Sequence, residues 1–116
     1  MVIAQISDTH ILARPLDQTA GTGRAETLRR CVADINGQGV DVVIHTGDSA
    51  HNGTAEEYAA VRKILAELEA PFFLIPGNRD RRETLREAFD HLPYLPRNGD
   101  FLHYVIDDYP LRLVAL

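Results

Sequence analysis

The sequence is short of cysteine, of lysine and of positive charge, and it has no tryptophan. Cys31 is the one cysteine in 116 residues, so no intrachain disulfide can form and no disulfide framework holds the fold. Lys+Arg total 12 against 17 Asp+Glu, a net charge of −5. A general nucleic-acid binder would carry a basic excess, so that class is excluded. An anionic substrate is not, because a bound metal ion can supply local positive charge. No apolar run approaches the roughly 18 residues needed to span a bilayer, so no membrane association is expected. The opening MVIAQISD has no basic stretch and meets Asp8, so it does not read as a secretory signal, and the expected location is cytoplasmic.

What is present is enough for one globular domain. The chain is 45% apolar and 25% charged, neither disordered nor fibrous. Three short runs, Val2–Ile6, Val40–Ile44 and Phe72–Ile75, are rich in β-branched or aromatic residues and read as strands. They lack clean alternation, which predicts strands buried on both faces of a parallel sheet.

Helical spacing lies between them. Ala25, Leu28, Val32 and Ile35 recur three or four apart, with Asn36-Gly37 as a stop. Tyr58, Val61, Leu65 and Leu68 repeat the pattern behind Thr54-Ala55-Glu56-Glu57, a capping box. Asp80-Arg81-Arg82-Glu83 is a second box-like start, followed by Leu85, Ala88 and Phe89. The order β-α-β-α-β-α predicts an α/β fold with a mainly parallel sheet and crossover helices. Phe101–Ile106 and Leu111–Leu116 read as a terminal hairpin joined by Asp107–Pro110. A buried-looking last strand with nothing after it suggests a chain that stops inside a larger domain.

The chemistry is in the positions of three polar clusters. Ser7-Asp8-Thr9-His10, His45-Thr46-Gly47-Asp48 and Pro76-Gly77-Asn78-Arg79-Asp80 each sit at or just past the carboxyl end of an expected strand. In open α/β sheets ligands bind at that edge, and parallel neighbours bring all three clusters to one rim. Asp8, His10, Asp48 and Asn78 then offer carboxylate, imidazole and amide oxygen together, a donor set suited to Mn, Fe or Zn rather than Ca. Each two-residue motif alone would usually be a turn or cap. Three in order, each at a strand end, are not.

Asp8-x-His10, Gly47-Asp48 and Gly77-Asn78 resemble the first three motifs of the calcineurin-like metallophosphoesterases. The surrounding ISDTH, HTGDSAHNGTAEEY and FFLIPGNRD look most like the cyclic-nucleotide phosphodiesterase and glycerophosphodiesterase branch. The resemblance is strong over residues 1–80 and weaker beyond. It implies the N-terminal half of a four-layer α/β/β/α domain, with residues 1–116 as one incomplete domain. It also implies two metal ions in the complete site, Asp8 and His10 on the first, Asp48 bridging and catalytic, Asn78 on the second. The reaction implied is hydrolysis of a small phosphodiester by metal-bound hydroxide.

Two departures stand out. Where the family has His after Gly-Asn, this chain has Arg79, which can hold a phosphate bidentately but is a poor general acid. Nor does the chain contain the family's Gly-His-x-His; after Asn78 its histidines are His91 and His103. Three readings therefore stand together: a phosphodiesterase, a half-domain that binds one metal weakly or none, and an oligomer in which a second chain supplies the missing ligands.

Of the remaining residues, His45 reads as a hydrogen-bonded core histidine, and His91 and His103 as structural or solvated. His51 lies on the loop after Asp48, where substrate contact competes with an ordinary loop role. Asn52-Gly53-Thr54 matches a glycosylation pattern but reads as a turn and cap. Arg79, Arg81 and Arg82 are a basic cluster, with Arg79 as phosphate contact. Ala13–Gly23 is either a substrate loop or a long connection.

Overall fold

A computed structural model describes residues 1–14 and 23–116; most of the Ala13–Gly23 loop lies outside the described residues. The elements are β1 (Ile3–Ile6), α1 (Gly23–Gly37), β2 (Val42–His45), α2 (Ala55–Leu65), β3 (Phe72–Leu74), α3 (Arg82–Ala88), β4 (Tyr104–Ile106) and β5 (Leu113–Ala115). β1, β2 and β3 form one parallel sheet in that order, and β4 and β5 pair antiparallel as a separate hairpin. The α/β architecture and the parallel sheet are those expected from the strand-helix alternation.

The registers show why the polar clusters meet. Ile6 stands opposite His45, and His45 opposite Leu74, so the three strands end level with one another. Helices α1 and α2 close the core with the stripes their spacing predicts, Ala25, Leu28, Val32 and Ile35 from one and Tyr58, Val61 and Leu65 from the other, to which the structure adds Ile64. Asn36 then ties the end of α1 to the turn after α2, donating to the Glu67 carbonyl at 2.8 Å and accepting from the Glu69 amide at 3.0 Å.

Boundaries shift where side chains compete with the ladder. Val40 and Asp41 fall outside β2 because the Asp41 carboxylate takes the Val2 amide at 2.6 Å. α2 ends at Leu65, not Leu68. Glu67 and Leu68 donate to the carbonyls three residues back, a tightened turn that keeps Leu68 against the core. Burial on both faces holds for β2 alone. β1 and β3 are the two edges of this sheet, and on β1 Ile3 and Gln5 are exposed while Ala4 and Ile6 are half-buried.

The capping box at α2 is present as read, with the Thr54 hydroxyl and the Glu57 carboxylate each accepting an amide at 3.3 Å. Glu57 is buried and also takes the Asn52 amide and side chain, both at 2.8 Å, so the Asn-Gly-Thr segment is a turn and cap. The second box is corrected. α3 is capped by Arg81 with no side-chain hydrogen bond, because the Asp80 carboxylate is engaged elsewhere.

At the outer side of β3, Leu74 meets two phenols. Its amide donates to the Tyr94 hydroxyl at 3.2 Å, and its carbonyl accepts from the Tyr104 hydroxyl at 2.7 Å. Burial pushes both hydroxyls to higher pKa, so both stay protonated at neutral pH.

Candidate metal centre

The loops after β1 and β2 are zipped together beyond the strand ends. Asp8 N–H donates to the Gly47 carbonyl, His10 N–H to Asp48 and Ile11 N–H to Ser49, each at 3.0 Å, and His51 N–H returns to Ile11 at 3.0 Å. This ladder holds three non-glycine residues in the left-handed region: Asp8 (φ 55°), His10 (φ 44°) and Asp48 (φ 53°). Among the described residues they are the non-glycine positions with positive φ. A side chain there is disfavoured by roughly 1–3 kcal/mol, and such strain gathers at functional sites where surrounding bonds enforce it.

The third loop reaches the same place by close backbone approach. A Cβ on Gly47 would lie 2.7 Å from the Gly77 Cα, and one on Gly77 would lie 2.2 Å from the Asp48 Oδ1. Glycine at both positions lets the β3 loop rest directly on Asp48. The Arg79 amide then donates to Asp48 Oδ1 at 2.8 Å, leaving Oδ2 for the rim. Asn78 lies between these two contacts in the chain and is exposed there.

Asp8, His10 and Asp48 converge. One ligand atom from each lies within 4.8 Å of the others. His10 Nε2 is 3.5 Å from Asp8 Oδ1 and 3.8 Å from Asp48 Oδ2. These separations are long for hydrogen bonds. They are close to what one ion imposes, since ligands at about 2.1 Å in tetrahedral array stand about 3.4 Å apart. Ser7 braces the remaining Asp8 oxygen through its hydroxyl. The other His10 nitrogen, Nδ1, is buried with no hydrogen-bond partner among the described residues. Two carboxylates and an imidazole, aimed at one point without bonding one another, fit a divalent transition metal.

Asp80 is the residue that sequence reasoning undervalued. Its Oδ1 accepts from Ser49 Oγ (2.9 Å), the Ala50 amide (3.2 Å) and the Tyr58 hydroxyl (3.0 Å). Its Oδ2 accepts from the Ser49 amide (3.2 Å) and the Gly77 amide (2.9 Å). Asp80 thus clamps the second and third loops around Asp48. The signal available was its place in PGNRD, where the resembling family carries Asp or Glu after the third motif; the Asp-x-x-Glu capping pattern masked it.

His45 is a fully buried core histidine, as read. Gly47 N–H donates to its Nδ1 at 3.2 Å, and its Nε2 meets Thr9 Oγ1 at 3.1 Å. Since Thr9 gives its own proton to the Ser49 carbonyl at 3.0 Å, His45 carries its proton on Nε2. Desolvation pushes its pKa down to about 4 against the pull of Asp80, Asp8 and Asp48, so it is neutral.

His51 stands edge-on to His10, ring centroids 5.6 Å apart. Arg24 joins the two, donating to the His10 carbonyl at 3.0 Å and contacting His51 Nδ1 at 3.3 Å. Loss of solvent lowers the His51 pKa, reinforced by Arg79 and Arg24. A depression of about 370 Å³ beside the triad is lined by Asp8, His10, Arg24 and Cys31 among others. Burial, with Asp34 nearby, raises the pKa of the Cys31 thiol. His91 and His103 make aromatic contacts with Phe89 and Phe101.

The profile of the calcineurin-like phosphoesterases matches residues 1–114. The chain is 36% identical over its full length to a protein of Arcobacter nitrofigilis named Probable glycerophosphodiester phosphodiesterase, of which it covers 43%. It is 39% identical over 80% of its length to a Probable cyclic nucleotide phosphodiesterase of Rhodopseudomonas palustris, covering 34% of that protein. It is 27% identical over its full length to a 3',5'-cyclic adenosine monophosphate phosphodiesterase of Pseudomonas aeruginosa, covering 41%. The chain thus spans under half the length of these curated relatives. Among the described residues, no helix is long and apolar enough to cross a membrane.

Proposed function

The chain belongs to the calcineurin-like phosphoesterase family, and from that premise we propose that it carries the N-terminal part of a phosphodiesterase metal centre. Residues 1–116 are then the first half of one metallophosphoesterase domain. The substrate is a small phosphodiester of the cyclic-nucleotide or glycerophosphodiester type. Asp8 and His10 would hold a first ion, Asp48 would be shared with a second, and Asn78 would serve that second ion. Arg79 steadies a nonbridging phosphoryl oxygen. Bound ions of the Mn, Fe or Zn type supply an activated water and neutralise charge on the phosphate.

The observation that carries this reading is the triad itself, three donor atoms within 4.8 Å on left-handed backbone. The chain's own residues prepare the site. Asp80 locks the loops, the Arg79 amide orients Asp48, and neutral His45 joins the first loop to the second through Thr9. Arg79 cannot give a proton to a departing alkoxide at neutral pH, so the leaving group must depart with little help from it.

The test is calorimetric titration of Mn or Zn into the chain and its Asp48→Asn variant. Binding that weakens at least tenfold in the variant is expected; equal binding would reject the metal centre. Release of an aryl alcohol from a phosphodiester, compared with a version extended past Leu116, then tests activity. Little turnover is expected from the 116-residue chain, and equal rates would reject the half-domain assignment.

A second reading, a non-catalytic half-domain with weak metal binding, is favoured by the donor set. Within residues 1–116, which contain no Gly-His-x-His, a second ion would find only Asn78 and Asp48 as protein ligands. Two tightly bound equivalents per chain would reject that reading.

A further inference from the structure

Arg24 is 14 residues from His10 and 27 from His51, yet one of its guanidinium nitrogens meets both. Nη1 carries two hydrogens, enough for two acceptors. One goes to the carbonyl of His10, whose backbone is strained at φ 44°. The other faces His51 Nδ1 at 3.3 Å. Arginine has no acceptor and does not deprotonate, so Nδ1 must be the accepting nitrogen. The ring proton is therefore on Nε2. That makes His51 an Nε2–H donor, edge-on to His10. Among the described residues this Nε2 has no partner in the chain.

We infer that Arg24 is a positioning residue of the centre: it holds the His10 main chain and fixes the His51 tautomer, so that His51 Nε2–H is presented to an oxygen of the bound phosphoryl group. This rests on the metal-centre reading for its ligand but not for its geometry. It assigns two residues outside the three motif clusters to phosphate recognition. Arg79 and His51 then address the anion with two kinds of donor, a charged fork and a single imidazole N–H.

The experiment uses the 116-residue chain, ¹⁵N-labelled at histidine, as wild type, Arg24→Met, Arg24→Lys and His51→Ala. Imidazole ¹⁵N spectra of metal-free protein read the tautomers directly. In wild type His51 should show a single Nε2–H form. In Arg24→Met it should average between tautomers while His45 stays fixed, and Arg24→Lys should restore the single form. Inorganic phosphate is then titrated with Zn present. Its affinity should fall about tenfold in Arg24→Met and in His51→Ala, the equivalent of one lost hydrogen bond to a charged oxygen. A single Nε2–H form surviving in Arg24→Met would overturn the proposal, as would unchanged phosphate affinity in His51→Ala. If Zn leaves the His10 resonances unmoved while the tautomer results hold, the metal-centre reading fails by itself.

Discussion

The hydroxyl of Tyr58 donates to Asp80 at 3.0 Å and accepts the amide of Arg81 at 2.8 Å. One buried phenol thereby links the carboxylate that clamps the second and third loops to the entry of α3. Tyr58→Phe removes both bonds and strands the Arg81 amide. Unfolding in urea should show a loss of about 2 kcal/mol. Asp80→Asn should cost more, about 3 kcal/mol, because an amide group turns a donor toward a ring of donors. A smaller loss for Asp80→Asn than for Tyr58→Phe would remove Asp80 from its central role.

Glycine substitutions separate close approach from open space. Gly77→Ala drives a Cβ to 2.2 Å from Asp48 Oδ1 and 2.4 Å from its amide, so backbone must move. Metal affinity should fall by more than tenfold and stability by about 2 kcal/mol or more. Gly37→Ala, at the end of α1 with nothing within 4 Å, should be neutral or stabilise by about 0.5 kcal/mol. Thermal denaturation and metal titration of the pair check the contrast.

His45 sets a pH dependence. Its folded pKa, about 4, lies below the unfolded value near 6.5. Between these values the unfolded chain binds the proton first, so stability is lost as pH falls from 6.5 towards 4 and is complete above 6.5. The contribution is on the order of 3 kcal/mol. Urea unfolding of metal-free protein at pH 7 and pH 5 should show the decline, and His45→Gln should flatten it.

Arg79 in place of a histidine should leave its mark on leaving-group dependence. In a version extended past Leu116, an aryl phosphodiester should be cleaved faster than an alkyl one by a wide margin. Arg79→His should narrow that margin by restoring an acid at the position. An unchanged ratio would mean that Arg79 does not stand beside the leaving group.

Much of this arrangement is legible in the chain itself. Short β-branched runs ending in polar clusters forecast three level strand ends, and the register of Ile6, His45 and Leu74 explains why Asp8, His10 and Asp48 meet. The spacing of Leu28, Val32 and Ile35 needs no tertiary information. What stayed hidden depends on contacts across the chain. Asp80 matches a helix-cap pattern locally, and only its four donors from other segments, beside the Gly77 amide in its own loop, decide otherwise. Arg24 carries no signal at all, since its partners are His10 and His51 on two different loops. The half-exposed face of β1 was concealed because an edge strand and a central strand can share the same residues.

The two phenols on Leu74 have a consequence for how the sheet can grow. A strand edge invites another strand only where its outward N–H and C=O are unclaimed. At Leu74 both are claimed, one by a hydroxyl that receives and one by a hydroxyl that gives. The sheet is therefore stoppered beside the rim on its β3 flank, and a newcomer strand cannot zip there without first expelling Tyr94 and Tyr104.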